Sequence, residues 1–99
     1  MKSRIPLSNT AAVLLRDFLA DHDLSQAKLA RDIRISPQLL NDLLAERRLF
    51  STEVCLKLGR YFGNEPEYWM RLQNHYLFRK TGEEKSKELD EIQPYQAAK

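Results

Sequence analysis

The stretch SQAKLARDIRISPQLLNDLL, residues 25–44, decides the fold of this chain. Its apolar residues fall at helical spacing in two short segments with a turn between them. Each segment starts with a serine, Ser25 or Ser36, whose hydroxyl can accept a hydrogen bond from a free backbone N–H as an N-cap. Pro37 takes the first helical position of the second segment, where its missing N–H costs nothing. The apolar positions are Leu29, Ala30, Ile33, Ile35, Leu40 and Leu43. The pattern predicts two helices joined by a tight turn, which is a helix-turn-helix.

The second segment presents three polar side chains opposite its apolar residues, Gln38, Asn41 and Asp42. Gln and Asn pair bidentately with adenine, and Asp accepts from cytosine N4, when such a helix lies in the DNA major groove. The spacing therefore predicts that Gln38 and Asn41 read base edges, with Gln38 the stronger candidate. One alternative is an ordinary solvated helix face. Another is a protein-interaction module with a vestigial motif, for which Asp42 is the best evidence because a carboxylate repels phosphate.

Contacts to the DNA backbone are predicted at both ends of the motif. Arg47 and Arg48 directly follow the second helix, where they can hold phosphate, and phosphate contacts supply most of the affinity for DNA. Gln26 and Ser36, at the two helix starts, can hold phosphate as well, and Pro37 belongs to the same predicted DNA-binding set. The alternative for the two arginines is a solvated charge run.

Length and composition are typical of a small globular protein. The chain has 99 residues, 42% hydrophobic and 30% charged, which suits one domain with a modest core. No apolar run approaches the ~20 residues that span a bilayer, and the N-terminus lacks the apolar core of a signal peptide. One cysteine excludes an intramolecular disulfide framework. We therefore expect a cytoplasmic protein without a membrane partner, associated with the nucleoid when bound to DNA.

Charge and periodicity divide the chain into three parts. Residues 1–9 contain a proline and no periodicity, and are expected to form a flexible arm. Residues 10–80 are predicted to form the helix-turn-helix DNA-binding and dimerisation domain. The first 80 residues carry 13 basic and 9 acidic side chains, a net charge of +4, as a DNA-binding protein requires. Residues 81–99 carry 3 basic and 5 acidic side chains, a net charge of −2, and are expected to form a mostly disordered tail with a transient helix around 86–92.

Three further helices are predicted around the motif. The first covers 10 to about 21, with Leu14 and Phe18, and Leu15 beside them, as its buried stripe. The fourth covers about 52–62 and contains Gly59, which a close helix crossing would explain because glycine costs about 1 kcal/mol inside a helix. With the fifth helix, which is described next, they predict an all-α, five-helix bundle that resembles the fold of lambda repressor, followed by a mobile acidic tail.

The fifth helix is predicted to start at Pro66 and to stop at Gly82. Trp69, Leu72 and Tyr76 recur at helical spacing and are assigned to the core or to a dimer interface. The remaining apolar residues of this helix lie on other sides, which indicates a partner subunit and hence a homodimer. They are Tyr68, Met70 and Phe78.

The sequence shows no catalytic or metal-binding constellation. Cys55 falls on the apolar face of the fourth helix, so it is interpreted as a small core residue and not as a nucleophile. His22 and His75 have no partner at the spacing that a general base or a metal site needs. We therefore expect no catalytic residue, no metal ion and no cofactor, and we do not expect an enzyme.

Three stretches make the chain resemble the HigA family of antitoxins, within the Xre/Cro-type helix-turn-helix group. They are LSQxxLA from residue 24, ISPQ from residue 35 followed by Asn41, and LGRYFGxxPEYWMxLQ over residues 58–73. The last is the most specific, because Pro-Glu-aromatic-Trp followed by Leu-Gln is unusual outside this family. The resemblance covers residues 13–79, but Arg34 and Glu46 stand where the family has glycine. The family glycine implies left-handed backbone at Arg34.

The resemblance implies a function beyond DNA binding. Members of the family are small dimeric repressors that bind operator DNA, repress their own operon and neutralise a RelE-like, HigB-type ribonuclease toxin. The alternative is a stand-alone, phage-type helix-turn-helix regulator without a toxin partner. A basic protein of ~90–110 residues encoded beside this chain would favour the antitoxin.

Overall fold

The computed structural model describes residues 7–96, and this part of the chain is all-helical, as predicted. Its helices are α1 (Thr10–Asp21), α2 (Gln26–Ile33), α3 (Pro37–Leu44), α4 (Thr52–Phe62), α5 (Pro66–Glu84) and α6 (Ser86–Asp90). The first five match the predicted helices, and α6 is an additional short helix. Helix α5 packs against α4 and α1, while α3 packs against α1 and α2. This arrangement leaves α3 at the surface of the bundle.

Side-chain caps define where the helices begin. The hydroxyls of Ser25, Ser36 and Ser51 accept hydrogen bonds from backbone N–H groups in the first turns of α2, α3 and α4. Asn9, which the sequence placed in the flexible arm, is instead buried and caps α1 by accepting from the N–H of Ala11 at 3.0 Å. The ordered bundle therefore begins at least one residue before the predicted boundary. The rest of the predicted arm, up to residue 6, lies outside the described residues.

The core lies where α1, α4 and α5 meet the helix-turn-helix. Trp69 is completely buried at its centre, and its indole N–H donates to Asn64 Oδ1 at 2.9 Å. All the predicted apolar positions of the motif are buried except Ile35, which is half-buried. Leu72 and Tyr76 are half-buried. Trp69 therefore lies in the core, and the assignment of Leu72 and Tyr76 to the core or to a dimer interface stays a prediction.

The buried face of α1 differs from the predicted stripe. Leu15 and Leu19 are buried, whereas Leu14 and Phe18 are only half-buried at the edge of the core. The small residues at the start of α1 explain the rotation, because Ala11 and Ala12 are fully buried and let the helix approach its neighbours closely. A buried face predicted from large apolar residues alone does not include contacts made by small residues such as these alanines.

A buried hydrogen-bond network joins three parts of the fold. The side chain of Gln73 on α5 accepts from Phe50 N at 2.7 Å and donates to Phe50 O at 2.9 Å. Its carbonyl oxygen also accepts from Asn9 Nδ2 at 3.1 Å. Asn9 and Gln73 are polar and almost fully buried. Their hydrogen bonds satisfy side-chain amide groups that would otherwise be costly to bury. The network ties the start of α1 and the loop before α4 to α5.

The C-terminal part of the described chain is helical for longer than predicted. Gly82 was expected to stop the fifth helix, but it lies inside α5, which continues to Glu84. It lies in open space, so no contact demands a glycine there. Helix α6 occupies part of the stretch expected to form a transient helix, and it has no buried residue. The boundary between domain and tail at residue 80 stays a prediction.

None of the helices in the described range 7–96 is long and apolar enough to cross a membrane.

Candidate nucleic-acid interface

The turn between α2 and α3 has the geometry that the family glycine implied. Arg34 ends α2 in the left-handed conformation, with φ 62° and ψ 51°. Behind it, Ile35 N donates to Ala30 O at 3.0 Å, which closes the helix end. The ammonium group of Lys57 on α4 donates a hydrogen bond to Arg34 O at 3.0 Å. One hydrogen bond within the end of α2 and one from α4 therefore stabilise the turn between α2 and α3.

An exposed cluster also fixes α2 to α4. Asp32 accepts from the hydroxyl of Tyr61 at 2.6 Å and from Lys28 Nζ at 2.9 Å. These bonds stabilise the charged carboxylate, so they lower the pKa of Asp32, the Tyr61 bond most of all. The same contacts raise the pKa of Tyr61 and of Lys28. The cluster orients α2, the helix on which α3 rests.

The predicted base-reading residues lie together on the outer face of α3. Gln38 and Asn41 are exposed, while the side chain of Asp42 is only 17% exposed. Gln38 Nε2 donates to Asp42 Oδ1 at 3.0 Å. The two side chains are therefore already paired before any ligand is present.

Arg47 joins the same cluster from the loop after α3. Its Nε donates to Asp42 Oδ1 at 3.0 Å, and its Nη2 lies 2.9 Å from that oxygen. The same Nη2 donates to Asn41 Oδ1 at 3.4 Å. Arg48 is exposed, and its side chain makes no hydrogen bond or ion pair with residues 7–96. The two arginines predicted to act alike therefore differ: one is paired and the other is available.

The remaining predicted residues are exposed at helix starts. Gln26 is the first residue of α2, and Pro37 is the first residue of α3. Ser36 Oγ accepts from Leu39 N at 3.0 Å. A hydroxyl that accepts one bond keeps its own proton for donation, so Ser36 can cap the helix and still donate to an oxygen outside it.

Glu46 positions the loop, a role that the sequence did not predict. It has left-handed backbone, with φ 63°, and its side chain reaches back to α1. Glu46 Oε1 accepts from Asn9 N at 2.8 Å, and its other oxygen pairs with Arg16 at 3.4 Å. Arg16 also donates to Leu44 O at the end of α3. The signal that could have found this role is the charged residue itself, since it stands at a position where the family has glycine.

Cys55 and the acidic and histidine side chains are the candidates among the described residues for a reactive or metal-binding site. Cys55 is buried, and burial raises the pKa of its thiol to about 11, so the thiol is un-ionised at neutral pH. Its interpretation as a core residue is confirmed. Residues 7–96 contain no cluster of His, Cys, Asp and Glu that could hold a metal ion.

Comparison with known proteins agrees with this geometry. A profile of the helix-turn-helix family matches residues 15–69. The Pseudomonas aeruginosa antitoxin HigA, solved with the higBA promoter, superposes with a TM-score of 0.82 at 32% identity, over 92% of this chain and 100% of that one. A further P. aeruginosa structure, of a protein in complex with its 18-bp operator DNA, gives a TM-score of 0.82 at 32% identity, over 95% and 100% of the two chains. Virulence-associated protein I of Dichelobacter nodosus is 27% identical over 84 residues, 85% of this chain and 78% of that protein.

The fold and the profile match define a helix-turn-helix protein of the Xre type. The chain belongs to the helix-turn-helix family, and within it to the HigA antitoxins. The resemblance drawn from the sequence is thereby confirmed. Antitoxins of this family bind DNA and are not enzymes, in agreement with the prediction for this chain.

Proposed function

We propose that this chain is an antitoxin that binds its operator DNA as a homodimer, represses its own operon and neutralises a RelE-like, HigB-type toxin. The observation that carries the DNA-binding part is the exposed face of α3, where Gln38 and Asn41 stand beside two arginines. The P. aeruginosa relative at 32% identity was solved with its promoter DNA, which supports the same partner here. The protein acts in the cytoplasm, at the nucleoid when it is bound to DNA.

The DNA-binding residues have distinct proposed roles. Gln38 and Asn41 contact base edges, and Asp42 lies between them and the loop. Arg48 is the first phosphate contact, because it is exposed and unpaired within residues 7–96. Arg47 is paired with Asp42, which reduces its attraction for phosphate. Gln26, Ser36 and Pro37 approach the backbone at the helix starts, where N–H groups favour anions.

The proposed dimer uses the outer side of α5. Leu77 and Phe78, with Asn74 and Thr81, line an open apolar groove of about 310 Å³. Phe78 is 80% exposed, and together with the groove it forms an apolar patch of the kind that marks a protein interface. A two-fold dimer places two α3 helices about 34 Å apart, one turn of DNA, or a multiple of that distance.

A footprint tests this proposal. The probe is the DNA upstream of the gene for this chain, and the control is a scrambled duplex of equal length and composition. We expect protection of two half-sites spaced by whole turns of DNA. Equal binding to both duplexes, or a single unpaired half-site, would contradict operator binding by a dimer.

Co-expression separates an antitoxin from the stand-alone regulator. The neighbouring reading frame is expressed alone and together with this chain. An antitoxin forms a stable complex with the neighbour's product and relieves its growth inhibition. A regulator without a toxin partner binds the operator but does neither.

A further inference from the structure

A single carboxylate oxygen connects the proposed base-reading side chain to one of the proposed phosphate-binding side chains. Asp42 Oδ1 accepts from Gln38 at 3.0 Å and from Arg47 Nε at 3.0 Å. The backbone carbonyl of Asp42 also accepts from Arg47 N at 2.8 Å and from Arg48 N at 3.3 Å. Asp42 therefore contacts Gln38 on α3 and both arginines of the loop that follows.

The contact to Gln38 selects one orientation of its amide. A carboxylate only accepts hydrogen bonds, so the NH₂ end of the Gln38 amide must face Asp42. One N–H is used there, and the other N–H and the carbonyl oxygen remain free. Adenine presents N7 as an acceptor and N6–H as a donor, which is the complement of that remaining pair. Without Asp42, the amide could turn and present its groups in the opposite order.

The contact to Arg47 has the opposite consequence for affinity. A paired guanidinium and carboxylate have no net charge together, so Arg47 adds little attraction for phosphate while the pair persists. Phosphate contacts bind every DNA sequence alike. Keeping one arginine paired therefore lowers binding to all sequences without lowering the preference among them.

We propose that Asp42 is a specificity-determining positioning residue: it orients the Gln38 amide for base reading and withholds Arg47 from phosphate. This inference rests on the proposed DNA binding by α3. It assigns to Asp42 a role different from direct contact with cytosine N4. The two roles predict different effects of D42N on DNA binding.

The test is a binding titration at several salt concentrations on the operator and on a scrambled duplex, with D42N, R47A and the D42N/R47A double variant. D42N removes the charge and leaves a side chain of equal size. We expect tighter binding to both duplexes and a salt slope steeper by about 0.9, the value of one extra phosphate contact. The ratio of operator to scrambled affinity should fall about three- to tenfold, because the Gln38 amide is no longer fixed.

The R47A variant gives a result that does not depend on the folding of D42N. R47A alone should change the slope little, since Arg47 is paired, whereas R47A in the D42N background should return the slope to the wild-type value. D90N is the matched control: it makes the same charge change on α6, which packs against α5, and it should change neither quantity.

Three results would overturn the inference. In the first, R47A lowers the slope by about 0.9 in the wild-type background. In the second, D42N behaves as D90N does. In the third, D42N loses affinity for operator duplexes that contain a particular C·G pair but not for duplexes in which that pair is replaced. This result would make Asp42 a direct reader of cytosine. Wild-type protein that shows no preference for the operator would overturn the proposed function itself, and this inference with it.

Discussion

Arg34 and Glu46 hold left-handed backbone on either side of α3, with φ 62° and 63°. For a residue with a Cβ this conformation costs roughly 1–2 kcal/mol. The side chain of Arg34 is exposed, and the hydrogen bond from Lys57 goes to its backbone oxygen, so that bond does not need an arginine side chain. The side chain of Glu46, by contrast, binds α1.

The two residues therefore predict opposite effects of the same substitution. Arg34→Gly should stabilise the protein by up to about 1 kcal/mol, a rise in Tm of roughly 4–8 °C for a domain of this size. Glu46→Gly should lower Tm, because the lost bonds to Asn9 and Arg16 outweigh the relief of strain. Thermal unfolding followed by circular dichroism measures both. A fall in Tm for Arg34→Gly would show that its side chain has a structural role.

At the scale of elements, Gly59 sets how closely α4 approaches the start of α5. A Cβ at Gly59 would lie 2.8 Å from Asn64 O and 2.9 Å from Pro66 N, both backbone atoms that cannot move independently. Gly59→Ala should destabilise the fold by about 1–3 kcal/mol. Gly82→Ala is the matched control, since the added carbon would meet no atom within 4 Å beyond its chain neighbours and the backbone of its own helix; it should stabilise α5 by about 0.5–1 kcal/mol. Urea denaturation measures the free energy of unfolding of both variants. Equal changes in that free energy at the two positions would contradict the close approach of α4 and α5 at Gly59.

The hydrogen bonds of Gln73 link α5 to the start of α1 and to the loop after α3. Gln73→Leu should cost about 3 kcal/mol or more, because the backbone groups of Phe50 and the amide of Asn9 would be buried without partners. His75→Leu, two positions further along α5 and exposed, should change stability by less than about 0.5 kcal/mol. Denaturant unfolding of both variants compares them directly. A near-neutral Gln73→Leu would mean that water or a shifted loop replaces the lost bonds.

The elements were predictable from the sequence because their signals are local. Ser25 and Ser36 cap the helices that the sequence assigned to them, and the left-handed backbone at Arg34 agrees with the glycine that the family has there. The candidate site was predictable as a set of residues on one helix and the loop after it. The contacts among those residues were not, because they depend on rotamers and on where the loop returns. The role of Glu46 and the pairing of Asn9 with Gln73 join residues far apart in sequence, which periodicity does not reveal.

For the molecule as a whole, the proposed dimer predicts an effect of Phe78 on assembly and not on folding. Phe78 is 80% exposed, so Phe78→Lys should leave the unfolding of the monomer unchanged. It should weaken the dimer about tenfold or more, because burying a phenyl ring contributes about 1.5–3 kcal/mol. Tyr95→Lys, at a still more exposed position outside the helices, is the control. Sedimentation equilibrium measures both, and an unaltered dimer in the Phe78 variant would place the interface elsewhere.

The central claim is that α3 reads bases while the loop after it holds phosphate. A salt-series titration of wild type, Gln38→Ala and Arg48→Ala on operator and scrambled DNA tests it most directly. Gln38→Ala should lower the preference for the operator by the ~1–3 kcal/mol of a bidentate contact and leave the salt slope unchanged. Arg48→Ala should weaken binding to both duplexes alike and reduce the slope by about 0.9. If Gln38→Ala weakened both duplexes equally, or Arg48→Ala weakened only the operator, the account would be contradicted.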